Sequence, residues 1–303
     1  MKKLLLIGII ALMTVVVAAC GSDEEGGSDR SLIVSGKNWT EQYILTYIIG
    51  EYIQENSDYD VQYEEGLGEV AILTPALEDG EIDLYVEYTG TGLEAVLGEV
   101  VEEGESADSV YERVKEGYEE EYNVTWLEPL GFENTYTLAF AEDAEFEAST
   151  ASELVELSQE RDMIFGAPHA FYEREGDGYD AMVETYPFEF TETPGLDANL
   201  MYDAVRTGEV DLIPAFTTDG RIERFNLQTT EDDQGFFPQY DAVPIVRMDT
   251  LEDFPELEDL LNELAGTMDE EVMQDLNARV DIDEERYEDV ARDFLIEHDL
   301  IEE

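Results

Sequence analysis

Basic residues are scarce in this chain. Its 303 residues hold 15 Lys and Arg against 77 Asp and Glu, a formal net charge of −62. Such a surface repels a phosphate backbone, which excludes nucleic acid as a partner. Cysteine occurs once, at Cys20, so no disulfide can close within the chain. Histidine occurs twice, at His169 and His298. No nucleophile elbow, zinc-ligand spacing or phosphate loop accompanies them. Acid pairs are unavoidable at this composition and carry no weight for catalysis. Neither an enzyme nor a metal or cofactor site is expected. Past residue 18 no apolar run is long enough to cross a bilayer. A disordered acidic chain could show the same charge, but 43% hydrophobic and 11% aromatic residues point to a packed core.

The one long apolar run is at the start. Lys2 and Lys3 precede Leu4 to Ala18, a run of secretory type, which ends in Val17-Ala18-Ala19-Cys20-Gly21. Small residues before a cysteine match the lipobox of bacterial lipoproteins. The alternative is an ordinary signal peptide with a chance cysteine. Residues 1–19 are read as a lipoprotein signal peptide and 20–30 as a flexible acidic tether. A lipid on Cys20 would hold the protein at the extracellular face of the cell membrane without spanning it. Loss of Lys2 and Lys3 with the signal takes the charge from −62 to −64 and leaves Lys37 and Lys115 as the only lysines. That excess fits a very salty exterior, where a Debye length of about 3 Å screens the surface carboxylates from one another.

From Ser31 short apolar runs alternate with amphipathic stretches. Strands are predicted at 32–34, 61–63, 84–86, 124–127, 164–166, 212–213 and 243–247. Helices are predicted at 41–56, 71–77, 92–97, 109–121, 150–159, 179–186, 199–207, 256–264, 270–278 and 284–298. Strands alternating with helices suggest βαβ units and a mainly parallel sheet. No sequence repeat is evident.

In open α/β sheets, ligands bind beyond the carboxyl ends of the strands. Lys37, Tyr88, Arg174 and Phe216 fall in the turns that follow strands. Tyr136 lies in Asn134-Thr135-Tyr136, and Tyr240 in Phe236-Phe237-Pro238-Gln239-Tyr240. A tyrosine at a strand end serves as core or as a ligand face. If the four rings converge, they form a box suited to a quaternary ammonium, which cannot donate a hydrogen bond. Arg174 could grip a carboxylate with two parallel bonds, or could simply pair with surface acids.

Seven segments carry a resemblance: Gly36-Lys37-Asn38-Trp39-Thr40-Glu41-Gln42, Glu65-Gly66-Leu67-Gly68, Gly80-Glu81-Ile82-Asp83-Leu84-Tyr85, Glu87-Tyr88-Thr89-Gly90-Thr91, Gly208-Glu209-Val210-Asp211, Thr218-Asp219-Gly220 and Phe236-Phe237-Pro238. In this order, over nearly all of residues 31–301, the chain resembles the substrate-binding lipoproteins of ABC importers for glycine betaine, carnitine, choline and related osmoprotectants. The resemblance implies a type II periplasmic-binding-protein fold, with two α/β lobes, two crossing strands and a ligand cleft. Lobe 1 would hold residues 31–137 and 236–303, and lobe 2 residues 138–235. Tyr88, Tyr136, Phe216 and Tyr240 would form the box, and Lys37, Thr91 and Arg174 the carboxylate clamp. Phe216 stands where the family usually has tyrosine, and the stretch Glu173–Gly178 is one residue longer than usual.

The ligand implied is a quaternary ammonium osmoprotectant, glycine betaine first, then proline betaine or carnitine. It would be delivered to a membrane permease by a monomeric binding protein. A choline-selective member of the same family and a binder of an unrelated small zwitterion are the alternatives.

Overall fold

The computed structural model describes residues 31–101, 105–174, 178–198 and 200–302. The signal run, Cys20 and the tether lie outside the described residues, as do Glu175 to Asp177 of the long stretch near Arg174. Among the described residues, no helix is long and apolar enough to cross a membrane.

Among the described residues there are ten strands: β1 (Leu32–Ser35), β2 (Val61–Glu64), β3 (Leu84–Tyr88), β4 (Val124–Trp126), β5 (Tyr136–Ala141), β6 (Ala167–Pro168), β7 (Gly195–Leu196), β8 (Ile213–Phe216), β9 (Leu227–Thr229) and β10 (Ala242–Arg247). One sheet has the order β2-β1-β3-β10-β4. There β1 runs parallel to β2 and β3, while β10 runs antiparallel to β3 and β4. In the other sheet β5 lies antiparallel between β8 and β9. The parallel pair β6 and β7, with the bridges Ile164↔Glu192 and Phe165↔Leu212, extends it on the β8 side. Both sheets thus share one plan, with β5 filling in the second the place β10 fills in the first.

Four of the five strands of the first sheet point one way, as the expectation of a mainly parallel sheet has it, and one strand in each sheet is reversed. A strand that arrives from the other half of the molecule is not bound to the crossover geometry of a βαβ unit, which makes its neighbours parallel. β5 and β10 are those arrivals, and each runs against the strands beside it.

A short repeat also exists where none was evident. Gly80-Glu81-Ile82-Asp83-Leu84 and Gly208-Glu209-Val210-Asp211-Leu212 build the same turn. Each starts with a glycine at positive φ, +69° and +72°, a conformation that side chains disfavour. Asp83 then accepts from the Ile33 N–H through Oδ2 at 2.9 Å, and Asp211 from the Ile164 N–H at 2.8 Å. Each carboxylate supplies the acceptor that the strand lacks at that point. The two turns feed β3 and β8, which end on Tyr88 and Phe216. The two aromatics therefore occupy equivalent places in the two halves.

Each sheet is covered on both faces. The helices Thr40–Asn56 and Tyr287–Glu297 pack Ile44, Ile48, Phe294 and Leu295 against one side of the first sheet. Leu73, Val114 and Tyr118 cover the other. All five residues of β3 are buried, as a central strand between two helical layers requires. The second sheet is flanked by an aromatic-rich cluster around Phe140, Phe165, Phe171 and Tyr186, and by an aliphatic one around Val205, Val210 and Ile213.

Candidate functional site

Tyr88 closes β3 with its ring buried, 3% exposed. Its hydroxyl donates to Glu41 and accepts from Gln42 Nε2 at 3.1 Å. Burial, followed by the Glu41 carboxylate, holds the phenol well above its ordinary pKa. Gln42 also donates to the Val86 carbonyl at 3.0 Å and accepts from the Lys37 N–H at 3.1 Å. One side chain thereby fixes the turn after β1 to the end of β3.

Lys37 is buried and its ammonium bonds to Glu87. Glu87 is itself fully buried and accepts further from the Tyr85 hydroxyl at 2.9 Å and the Tyr88 N–H at 2.8 Å. The ammonium lies 4.9 Å from the Tyr88 ring centre and 5.3 Å from that of Trp39. Trp39 in turn stacks on Tyr88, with centres 6.3 Å apart and planes 22° apart. Thr91 is half-buried at the end of the turn after Tyr88. Tyr240 lies against the same turn, since a Cβ on Gly90 would come within 2.6 Å of its ring.

The second group stands on the other sheet. Tyr136 and Phe216 face each other across β5 and β8, stacked 4.6 Å apart at 28°. Phe171 meets Tyr136 edge-on at 5.4 Å, and Phe237 lies 5.8 Å away. Phe216 is 43% exposed, with its ring stacked on Tyr136. Arg174 follows the short helix His169–Glu173, and its guanidinium carbon is 5.5 Å from the Tyr136 ring centre.

The segments that carry these rings are stitched together. The Thr135 N–H donates to Thr217 Oγ1 at 3.1 Å, and the Thr217 N–H to the Thr135 carbonyl at 2.9 Å. Thr135 Oγ1 reaches the Pro238 carbonyl at 2.6 Å, and the Asn134 N–H reaches the Tyr240 carbonyl at 3.1 Å. Beside them, Glu133 and Asp241 form an antiparallel bridge between the two crossing segments. Burial raises the Glu133 carboxyl to about 7, with Asp241 and Glu270 adding to the shift. Asp241 is also raised, chiefly by burial. Tyr136, Arg174, Thr217 and Phe237 line a groove of about 1860 Å³, far larger than a single small-molecule pocket and open to solvent.

The seven residues expected at the site therefore fall into two groups. Lys37, Tyr88, Thr91 and Tyr240 stand at the first sheet, and Tyr136, Arg174 and Phe216 at the second. Five polar or aromatic neighbours were not anticipated: Trp39, Glu41, Glu87, Asn134 and Asn277. All but Asn277 sit within segments that already drew attention, beside Lys37, Tyr88 or Tyr136. Asn277, on the helix Glu270–Asp281, gave no signal in the sequence.

Comparison with known proteins agrees with this architecture. Residues 30–297 match the family model described as the substrate binding domain of an ABC-type glycine betaine transport system. The chain is 35% identical over 284 residues to the glycine-betaine-binding protein of Pseudomonas aeruginosa, covering 90% of each. It is 36% identical over 270 residues to an ergothioneine transport permease/ergothioneine binding protein of Helicobacter pylori, covering 88% of this chain and 47% of that protein. A solved glycine betaine/carnitine/choline ABC transporter structure superposes with a TM-score of 0.84 at 26% identity, covering 89% of this chain and 99% of that one. The fold is that of type II periplasmic binding proteins, and the family binds a solute for a permease and is not enzymatic. The chain belongs to the family of substrate-binding domains of ABC-type glycine betaine transport systems.

Proposed function

We propose that this protein captures a quaternary ammonium osmoprotectant that also bears a carboxylate, glycine betaine before proline betaine or carnitine. The observation that carries the reading is the pairing of π-faces with fixed cations in both groups. Lys37 stands 4.9 Å from the Tyr88 ring centre, and Arg174 5.5 Å from that of Tyr136. A zwitterion answers both features: its ammonium to the rings and its carboxylate to the cations. Tyr88, Tyr136, Phe216 and Tyr240 form the box in this reading, and Lys37, Thr91 and Arg174 the clamp. Each face contributes about 0.5–2 kcal/mol, so four faces and one charge-assisted clamp reach micromolar affinity.

The lobes are those expected, except that Tyr136 and Thr137 go with residues 138–235, since β5 pairs with β8 from Tyr136 onward. Closing them over the ligand unites the two groups, and the closed form is the state a permease can distinguish. The protein acts as a monomer held to the extracellular face of the cell membrane by a lipid on Cys20, in a salty medium that its charge of −64 without residues 1–19 suits.

One observation favours a second reading. The Lys37 ammonium already bonds to Glu87, which weakens its part in the clamp. Choline, which has a hydroxyl and no carboxylate, then becomes the competitor. Calorimetry in molar salt with glycine betaine, carnitine, ergothioneine and choline separates the two. Glycine betaine is expected to bind more tightly than choline. Equal or reversed affinities remove Lys37 and Arg174 from the site while leaving the box.

A further inference from the structure

Glu41 is 3% exposed and is held by three neutral donors. They are the Tyr88 hydroxyl, Asn134 Nδ2 at 3.0 Å and Asn277 Nδ2 at 3.1 Å. Each comes from a different part of the chain, and each leads to a ring. Tyr88 is itself one of the four. Asn134 lies two residues before Tyr136, and its N–H bonds to the Tyr240 carbonyl at 3.1 Å. Asn277 also donates to the Thr218 carbonyl at 2.9 Å, two residues after Phe216. Beside it on the same helix, Gln274 donates to the Thr217 carbonyl at 2.6 Å.

We propose that Glu41 is the positioning residue of the ammonium site, one buried carboxylate that sets the segments of all four rings in register. Three donors converge on it, a demand that a carboxylate meets with its four lone-pair sites and an amide does not. Asn277 shows the strength of the arrangement. Its buried Oδ1 has no hydrogen-bond partner among the described residues. Leaving a buried carbonyl unsatisfied carries a free-energy cost. Turning the amide over would move that oxygen but would sever both the Glu41 and Thr218 links. The side chain is therefore held for what its nitrogen joins. Glu41 touches no ligand in this account. It acts through Tyr88, Asn134 and Asn277, and its role rests on the proposed ammonium site.

The test is a double-mutant cycle read by ligand affinity. Glycine betaine is titrated in molar salt into the wild-type chain, Glu41→Gln, Tyr88→Phe and the double variant, and each melting temperature is recorded. Tyr88→Phe keeps the ring and removes the hydroxyl's bonds to Glu41 and Gln42. Tyr88→Phe is expected to weaken binding severalfold and Glu41→Gln about tenfold, and the double to fall short of their product, because the Tyr88 arm is one of the three that Glu41 holds together. Independent roles give losses that multiply, and a role confined to general stability gives a lowered melting temperature with affinity intact; either overturns the proposal. Should Glu41→Gln fail to fold, Asn277→Ala, which removes the bonds to both Glu41 and Thr218 and leaves the Tyr88 and Asn134 arms intact, takes its place. Severalfold weaker binding supports the proposal, and unchanged affinity overturns it. A wild-type chain that binds no quaternary ammonium overturns the proposed function and this role together. Wild-type binding with an additive cycle removes Glu41 alone.

Discussion

The two halves of the candidate site are built to opposite plans. At the first sheet Lys37, Tyr88 and Glu87 are buried, and their polar atoms are committed to Glu41, Gln42 and one another. At the second, Phe216 is 43% exposed and meets Tyr136 face to face at 4.6 Å. Yet the strands beneath Tyr88 and Phe216 begin from the same glycine–acid turn. One backbone plan thus supports a rigid wall, set by a hydrogen-bond network, and an open wall, set by ring contacts. A rigid wall lowers the ordering cost of binding, while an open wall admits the ligand and covers it.

The largest effect that tests this contrast is ring removal. Tyr88→Ala should lower stability by about 3–5 kcal/mol, because it empties a filled core position, and should weaken every quaternary ammonium alike. Phe216→Ala should weaken binding about tenfold and change stability by no more than about 0.5 kcal/mol. Melting curves and calorimetry on the two variants check this. Similar stability losses would erase the distinction between the walls.

Salt comes next. Exposed carboxylates are screened, and the buried Lys37–Glu87 pair much less so. The melting temperature should fall as salt is removed from molar to dilute buffer. A midpoint that does not move contradicts the reading of the net charge.

A smaller effect concerns the crossing segments between the walls. The Glu133 carboxyl is raised from 4.5 to about 7 in the folded chain, so the fold holds a proton there that the unfolded chain has lost. The stability it contributes is complete below about pH 4.5 and is lost as pH rises through about 7. Asp241, raised in the same direction, adds a slope of the same sign. Glu133→Gln should flatten the fall in melting temperature across that window. An unchanged slope would show that the proton lies elsewhere.

The smallest effect expected is that of Phe216→Tyr. The hydroxyl leaves the π-face in place, so affinity should shift by no more than about 1 kcal/mol.

Much of this was legible in the sequence, for identifiable reasons. Most helices and the strands of the first sheet followed from apolar periodicity, and the family from segments spread over the chain, but β5, β7 and β9 were not predicted, and the strand expected at 164–166 is a pair of isolated bridges ahead of β6. The reversal of β5 and β10 was not legible, because a strand's direction depends on where it arrives from and leaves no trace in its own residues. The repeat at Gly80 and Gly208 is five residues long in a chain of 303, too short to stand out without its matching hydrogen bonds. Lys37 was singled out by its rarity, but its partner Glu87 is one of 77 acids and could not be. Asn277 lies 236 residues from Glu41, a separation that only the fold closes.

The most direct measurement is a crystal structure grown with glycine betaine in molar salt. The account predicts the trimethylammonium within about 6 Å of the ring centres of Tyr88, Tyr136, Phe216 and Tyr240, with the carboxylate on Arg174 and Lys37. An ammonium seated instead against the carboxylates of the groove, such as Glu133 or Asp232, with the four rings unoccupied, would contradict it.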